Sequence, residues 1–473
     1  MQTSTANGQK NSSYILAFAV MTVLFFLWGF VTVMNDILMP KLKDAFSLSN
    51  AQSALVQFAF FIAYGFVSLT YYIWSVTKGD PISKIGYRKG MIIALIVCSL
   101  GCLSFYAAAE LEQYGWFLAA LFVLASGITL LQITANPYVS LLGKPEGASG
   151  RLNLSQGFNS LGTALAPIVG GAIIFKGSDV AVDVLKMPYV SLALIFLLAA
   201  VVLRFIRLPE VQGEEMSSGA WKFPHLRLGM IAIFVYVGAE VTLGSYAIRF
   251  MALPEVAGLS KEMADAFLVY YWGGAMTGRF LGTIALTEFS SLIKRIIYMI
   301  GAAVLLTAFI LLITEKNITE AVPYFGILAV NIIGFIIGRG NAPRLLMMFA
   351  LAAAVLIAAA SFGTGSIALW ALLAVGLFNS VMWSNIFTLS INKLGPSTSQ
   401  GSSLLVMMII GGAFLPLLAG YAADAVSIGL QRSLLVTIPC YLYLAYYGWK
   451  GWCAGFTDAG SETIKRVNSN INH

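Results

Sequence analysis

Two acidic side chains lie inside long apolar runs, where a charge is costly. Asp36 lies towards the outer end of the first run, and Glu240 lies in Gly238-Ala239-Glu240, well inside a later one. An Asp, Lys or Arg at a helix centre costs roughly 2.5 to 3.5 kcal/mol, so such residues are functional candidates. Both carboxylates could take a proton or hold Na⁺. The alternatives are an interfacial position near Pro40 for Asp36 and a snorkelling end residue for Glu240.

Four amide side chains form two pairs at helical spacing. Gln132 and Asn136 are four residues apart, and Gln156 and Asn159 are three apart, so each pair shares one helix face. Amides carry donors and acceptors, which suits a neutral ligand with several hydroxyl groups. We predict that these four residues bind such a ligand. The alternative is that they hydrogen-bond neighbouring helices.

Aromatic rings could complete a sugar site, because a ring can stack on the C–H face of a pyranose. The available rings are Trp28, Phe60, Tyr64, Tyr246, Tyr271, Trp272 and Trp383. We select Trp28, Tyr246 and Trp383 as substrate-binding candidates, although the first expectation for any one ring alone is that it packs in the core, faces lipid or lies at the interface. Arg249 and Arg279, near the ends of their runs, are expected to be interface anchors or gate partners.

The composition is that of a protein whose solvent is a bilayer. The 473 residues are 59% hydrophobic and 10% charged, with a mean hydropathy of +0.84. The apolar runs are continuous over about twenty residues, as transmembrane helices require, whereas barrel strands would alternate over about ten. The net charge is +7, and the basic residues of a membrane protein are expected to collect in its cytoplasmic loops. The charge therefore gives no support to a nucleic-acid partner.

The apolar runs predict an all-α polytopic membrane protein with fourteen spans. Six lie in the first half, near 14–38, 50–76, 89–109, 115–142, 152–175 and 187–206. Eight follow, near 227–252, 263–287, 293–313, 322–338, 345–362, 367–393, 399–424 and 432–452. An even number keeps both termini on one side. With both termini inside, about nineteen Lys and Arg are cytoplasmic and about eight external.

The spans suggest two parallel six-helix bundles with an inserted helical hairpin. We predict an N-terminal bundle over 1–206, a cytoplasmic linker over 207–226, and a C-terminal bundle over 227–473 with the extra hairpin near 290–340. A weak internal repeat supports this, since Asn136-Pro137 and the glycines after it are echoed from Asn385 onward. Transporters built from such repeats hold their substrate between the halves.

An enzyme and a metal protein are both disfavoured. The two histidines, His225 and His473, lie in a loop and at the terminus, away from the acids. Cys98 and Cys102 have helical spacing but no further ligands nearby, so we expect apolar packing. The sequence therefore predicts no catalytic residue, no metal and no cofactor beyond a coupling ion, in a monomeric inner-membrane protein.

Several motifs resemble the fucose and glucose/galactose permeases of the major facilitator superfamily. The motifs are Phe25-Phe26-Leu27-Trp28, Asn35-Asp36-Ile37-Leu38, Ala135-Asn136-Pro137-Tyr138, Arg151-Leu152-Asn153-Leu154 with Gln156, and Phe158-Asn159-Ser160. The resemblance covers most of both halves and is denser in the first. Residues 84–90 also resemble the superfamily's loop between its second and third helices, which is thought to act as a cytoplasmic hinge or latch.

The resemblance implies a major facilitator fold and cation-coupled symport of a neutral monosaccharide. In the fucose branch, an acid matching Asp36 and a Glu matching position 132 serve coupling and sugar binding. Residues matching Trp28, Gln156 and Asn159 line the cavity. Here position 132 is Gln, which favours a glucose or galactose substrate, and Glu240 replaces a Gln of the fucose branch.

The alternatives are symport of fucose or an amino sugar, export of a drug or metabolite, and a receptor or sensor that does not transport. We assign cation coupling to Asp36 and Glu240. We prefer H⁺ over Na⁺, because a buried carboxylate loses its charge on protonation whereas Na⁺ needs several more oxygen ligands.

Overall fold

The chain is helical throughout the part that its structure, a computed structural model, describes. The described residues are 2–174, 182–206, 208–209, 219–314 and 321–456. Within them short turns join the helices and no strand occurs. The predicted all-α class is therefore confirmed. A helix suits hydrocarbon because it satisfies its own backbone hydrogen bonds.

Seven helices lie in the described part of the first half. They are α1 Gln2–Ala45, α2 Asn50–Lys78, α3 Pro81–Ile85, α4 Tyr87–Leu111, α5 Tyr114–Leu141, α6 Ala148–Ile174 and α7 Lys186–Phe205. The short α3 begins at a side-chain cap, where the Asp80 carboxylate accepts from the Ile82 N–H and Pro81 takes the first helical position. This cap turns the chain sharply between α2 and α4.

The described part of the second half contains eleven helices. They are α8 Pro224–Met251, α9 Lys261–Ala285, α10 Leu292–Thr314, α11 Val322–Gly338, α12 Ala342–Phe362, α13 Gly365–Asn379, α14 Met382–Ile391, α15 Thr398–Met407, α16 Gly411–Asp424, α17 Gly429–Ser433 and α18 Ile438–Trp449. The predicted spans 367–393 and 399–424 are each divided into two helices, at residues 380–381 and at the 3-10 turn Met408–Ile410.

Ten helical segments of the described chain are long and apolar enough to cross a membrane, so this is a multi-pass membrane protein. Helices α6 and α9 are not among the ten, although they have 27 and 25 residues. Both helices nevertheless carry polar side chains, since α6 contains several amide and hydroxyl groups and α9 contains charged ones. The polar residues of these two helices belong to the site described below.

The two halves repeat one pattern of helix pairing. In the first half α4 packs against α5 and α7, α1 against α6, and α2 against α5. In the second half α12 packs against α13 and α18, α8 against α16, and α9 against α13. Helices α10 and α11 stand outside this pattern. Helix α10 packs on α9, and α11 packs on α9, α12 and α13.

The paired helices approach closely through small residues. A β-carbon at Gly29 of α1 would overlap the backbone carbonyl of Asn159 on α6, and one at Gly162 would overlap the Phe26 carbonyl. Helix association in a membrane depends on such packing, because lipid tails are as apolar as the side chains. Glycine at these positions therefore sets the distance between α1 and α6.

We expect Gly29→Ala to destabilise the protein by about 1–3 kcal/mol, because α1 and α6 must move apart to admit the methyl group. A lower thermal unfolding midpoint of purified protein in detergent would show this. Gly301→Ala on α10 is the control, since nothing lies within 4 Å of the added carbon there. It should leave the midpoint unchanged or raise it, and equal midpoints for both variants would contradict the close α1–α6 contact.

Candidate functional site

An ion pair lies in the interior of the second half. Arg279 Nη2 on α9 is 3.8 Å from Glu240 Oε1 on α8, and each side chain is 14% exposed. The Tyr236 hydroxyl donates to the same carboxylate oxygen at 2.8 Å. Two buried ions are costly unless they are paired and further hydrogen-bonded. Glu240 is thus an interior residue, not a snorkelling end residue.

The interruption between α13 and α14 supplies part of that hydrogen bonding. The Asn379 carbonyl oxygen lies 3.1 Å from the Tyr236 hydroxyl, whose single hydrogen it shares with Glu240, and the Ser380 carbonyl accepts from Arg279 Nε at 3.3 Å. A helix break leaves carbonyl groups without helical partners, and inside a membrane protein these must be satisfied by side chains. The break therefore provides a carbonyl acceptor for the guanidinium of the ion pair, and the guanidinium provides a donor for that carbonyl.

The Asn379 side chain continues the network away from the ions. Its Oδ1 accepts from the Tyr441 hydroxyl at 2.9 Å, and its Nδ2 donates to the Tyr271 hydroxyl at 3.4 Å. Tyr271 in turn donates to the Glu240 backbone carbonyl at 3.3 Å. The sequence analysis missed Tyr236, Asn379 and Tyr441. The available signal was Asn379, a lone amide in an apolar run.

Arg279 also reaches the first half of the molecule. It donates through Nη1 to the Ser160 hydroxyl on α6, and Ser160 donates to the Gln156 carbonyl at 3.1 Å. Arg279 is therefore an interior residue that contacts both halves and not an interface anchor, and its role as a gate partner stays a prediction. Arg249 differs, because it is exposed and lies 5.6 Å from the Tyr246 ring centre.

The predicted amides of the first half are buried but have different partners. Gln132 Nε2 donates to the Tyr64 hydroxyl at 2.8 Å, and Trp28 also hydrogen-bonds Tyr64. Asn159 Nδ2 donates to the Phe25 carbonyl of α1 at 3.0 Å, so this amide ties two helices together. The side chain of Gln156 makes no such bond within the described part of the protein and is 5% exposed.

Some buried polar atoms near this cluster have no protein partner among the described residues. They are Gln132 Oε1 and both amide atoms of Asn136. An unpaired buried polar atom costs about 1–3 kcal/mol. A polar ligand or water bound here would therefore remove a cost that the protein alone carries.

Two predicted residues, Tyr246 and Trp383, have their contacts away from the cluster in this structure. The Tyr246 hydroxyl donates to the Pro416 carbonyl at 3.1 Å, and the Trp383 ring stacks on Phe387 at 5.1 Å with 13° between the planes. The side chain of Asp36 lies outside the described residues. Tyr246 and Trp383 therefore pack within the second half here.

The halves also meet at one end of the bundle. We call the end with the turn between α2 and α3 the basic end, because Lys84, Arg88 and Lys89 lie there. The Ser399 and Tyr71 hydroxyls both donate to the Asp80 carboxylate. Ser149 and Thr388 are hydrogen-bonded at 2.6 Å between their hydroxyl oxygens. These contacts close the basic end, and the sequence analysis did not identify Asp80 or its partners.

The chain is similar to known proteins over most of its length. The model of the Major Facilitator Superfamily matches residues 14–338. A glucose/galactose transporter of Brucella abortus biovar 1 (strain 9-941) is 41% identical over 95% of this chain and 96% of its own. The L-fucose-proton symporter of Escherichia coli (strain K12) is 30% identical over 91% and 92%.

Solved structures are similar as well. A crystal structure of a Major Facilitator Superfamily transporter, FucP, in the outward conformation has a TM-score of 0.74 to this chain. The two sequences are 28% identical, and the match covers 93% of this chain and 99% of that one.

We expect Arg279→Met to destabilise the protein by about 3–5 kcal/mol, because it leaves the buried Glu240 carboxylate without its cation. Thermal unfolding of the purified protein in detergent measures this. The double variant Glu240→Gln/Arg279→Met should lose less stability than the two single variants added together. Strict additivity would show that the two side chains do not interact.

Proposed function

The chain belongs to the major facilitator superfamily, a family of membrane transporters and not of enzymes, and on that premise we propose that it is a cation-coupled hexose symporter. The substrate is a neutral monosaccharide of the glucose or galactose type. The observation that carries the proposal is the Glu240–Arg279 pair, whose guanidinium is bonded to Ser160 of the other half. One carboxylate can thereby connect its own charge to the contact between the halves.

The substrate proposal is supported by the polar cluster of the first half. Its buried, incompletely bonded amides at Gln132 and Asn136 suit the hydroxyl groups of a sugar. Relatives named as glucose/galactose transporters, similar over almost the whole chain, support the hexose class. Gln156 is the most available ligand in our proposal, and Trp28 borders the same cluster through Tyr64.

In the proposed cycle, the charge of Glu240 controls how firmly Arg279 is held. When the carboxylate binds a cation, its attraction for the guanidinium falls, and the hydrogen bonds to Ser160 and the Ser380 carbonyl remain. Sugar bound between the halves replaces the contacts that are lost. The halves then rock about the substrate, opening the basic end and closing the other, as alternating access requires.

We prefer the proton as the coupling ion, with Glu240 as its carrier. The Glu240 carboxylate has a tyrosine hydroxyl and an arginine as neighbours. These neighbours supply fewer oxygen ligands than a hard cation such as Na⁺ requires. The L-fucose-proton symporter of Escherichia coli is a proton-coupled relative by its name. Asp36 remains our second candidate for coupling.

We further propose fourteen spans, made of two six-helix bundles and an inserted hairpin. The repeated pairing of helices supports this, because α10 and α11 stand outside it and coincide with the hairpin expected near 290–340. The bundles are 1–206 and 227–473, joined by a cytoplasmic linker over 207–226. Both termini and the basic end face the cytoplasm of a monomeric inner-membrane protein.

The test of the coupling proposal is hexose uptake into proteoliposomes with proton and sodium gradients imposed separately. Glu240→Gln should abolish accumulation driven by the proton gradient while sugar exchange continues, because the variant cannot change its charge. Asp36→Asn should also lose accumulation if it shares the role. L-fucose is included as a competing substrate.

Sodium alone driving wild-type uptake, with Glu240→Gln insensitive to it, would transfer the role to a sodium site. Wild-type accumulation by Glu240→Gln under every gradient would remove Glu240 from coupling. Failure of both gradients to drive uptake would contradict symport itself.

Two neighbouring amides on α6 should respond differently to truncation. Gln156→Ala should weaken hexose binding by about 1–3 kcal/mol, because it removes a partner of the sugar hydroxyls. Asn159→Ala should mainly lower stability, because it removes the bond to the Phe25 carbonyl of α1. Calorimetry with glucose and thermal unfolding separate the two effects. Unchanged affinity in Gln156→Ala would exclude this amide from the sugar site.

A further inference from the structure

A cavity unrelated to the polar cluster lies beside the α10–α11 hairpin. Its volume is about 510 Å³, and it is lined by Leu292, Arg295, Ile336, Ile337, Arg339 and Arg344. These residues come from the start of α10, the end of α11 and the start of α12. A β-carbon at Gly340 would lie 3.0 Å from the carbonyl of Ala285, at the end of α9. A β-carbon at Gly150 would lie 3.4 Å from the carbonyl of the next residue, Leu286, and Gly150 follows Ser149 of the basic end, so the cavity lies at that end.

The charge of the cavity is concentrated and only partly compensated. Within the described chain, the guanidinium groups of Arg295 and Arg344 make no hydrogen bond or ion pair, and Arg295 Nε is buried without an acceptor. Leaving a charged donor buried and unpaired is more costly than leaving a neutral one. Arg339 lines the same cavity, so three positive charges converge. The site therefore suits an anionic group with several acceptor oxygens.

The other walls of the cavity are apolar and open outward. Leu292 is 54% exposed and Ile337 is 48% exposed, and Ile297, further along α10, is 62% exposed. On a membrane-spanning helix, exposed aliphatic side chains of this kind face lipid tails. The cavity thus has arginine side chains on one side and aliphatic side chains that face lipid on the other.

We propose that this cavity binds the headgroup of an anionic glycerophospholipid. Its phosphate accepts hydrogen bonds from Arg295 and Arg344, which present donors in a geometry that matches phosphate oxygens. Its acyl chains lie along the exposed aliphatic face of α10. A zwitterionic lipid fits less well, because its cationic group would meet the converging arginines. Free phosphate leaves the apolar walls uncovered. Basic pockets between transmembrane helices commonly bind anionic lipids.

The test is native mass spectrometry of the full-length protein in neutral detergent. Phosphatidylglycerol and phosphatidylcholine of equal chain length are titrated in turn, and inorganic phosphate is added as a competitor. The wild type should bind one phosphatidylglycerol in preference to phosphatidylcholine. Arg295→Gln/Arg344→Gln should weaken that binding roughly fivefold for each arginine removed.

Lys294→Gln is the matched control, because Lys294 lies beside Arg295 on α10 but does not line the cavity. It should bind phosphatidylglycerol as the wild type does. A Lys294→Gln loss equal to that of the double variant would reduce the effect to general surface charge and overturn the proposal.

Three further results bear on the site. Equal binding of the two lipids by the wild type would overturn the proposal, and this comparison holds even if the double variant does not fold. Displacement of phosphatidylglycerol by millimolar phosphate would assign the site to free phosphate instead. Retention of the lipid preference by Arg295→Lys/Arg344→Lys would support a charge-based headgroup site.

Discussion

The surrounding structure must stabilise a carboxylate and a guanidinium that lie among transmembrane helices. Each ion loses several kcal/mol of hydration on burial, and the 3.8 Å separation of Glu240 and Arg279 alone does not restore it. The remaining stabilisation comes from Tyr236, from the Ser380 carbonyl and from Ser160. The break after α13, the buried tyrosines and the link between the halves can all be understood as responses to this one pair.

The contacts that join the halves at the basic end have a different energetic character. Ser149 and Thr388 share a neutral hydroxyl hydrogen bond, which contributes about 0.5–1.5 kcal/mol net. Asp80 also caps α3, so its carboxylate stays hydrogen-bonded to the Ile82 N–H when Ser399 withdraws. Separation of the halves at this end therefore exposes groups that water or the chain itself can satisfy. These hydrogen bonds stabilise the contact between the halves at the basic end, and breaking them costs little free energy.

Much of the fold follows from local properties of the sequence. Continuous apolar runs predict helices because backbone satisfaction in hydrocarbon is a local matter, and the regular pairing of the halves agrees with the predicted repeat. The apolar runs at 293–313 and 322–338 are found as the helices α10 and α11. The polarity of α6 was equally visible.

The site depended on contacts that no local pattern reports. The sequence alone does not distinguish the roles of Gln156 and Asn159, which are both amides on one helix face. In the structure only the Asn159 side chain donates to a neighbouring helix, at the Phe25 carbonyl. Arg279 could be assigned two roles from its position, and its contacts with Glu240 and Ser160 argue against the interface anchor. Ser399 lies 319 residues from Asp80, so nothing near either residue announces their contact. The divided spans escaped prediction because their interruptions, at residues 380–381 and at Met408–Ile410, contain no proline.

The position of α10 and α11 has a consequence for the evolution of such chains. The two helices lie between α9 and α12 in the chain, and α9 and α12 each still pair with α13. In our proposal that α10 and α11 are an insertion, a lineage can acquire or discard them without rebuilding the pairings of the other helices. Selection on α10 and α11 is then free to follow the surrounding lipid, while selection on α6 and α9 follows the cargo.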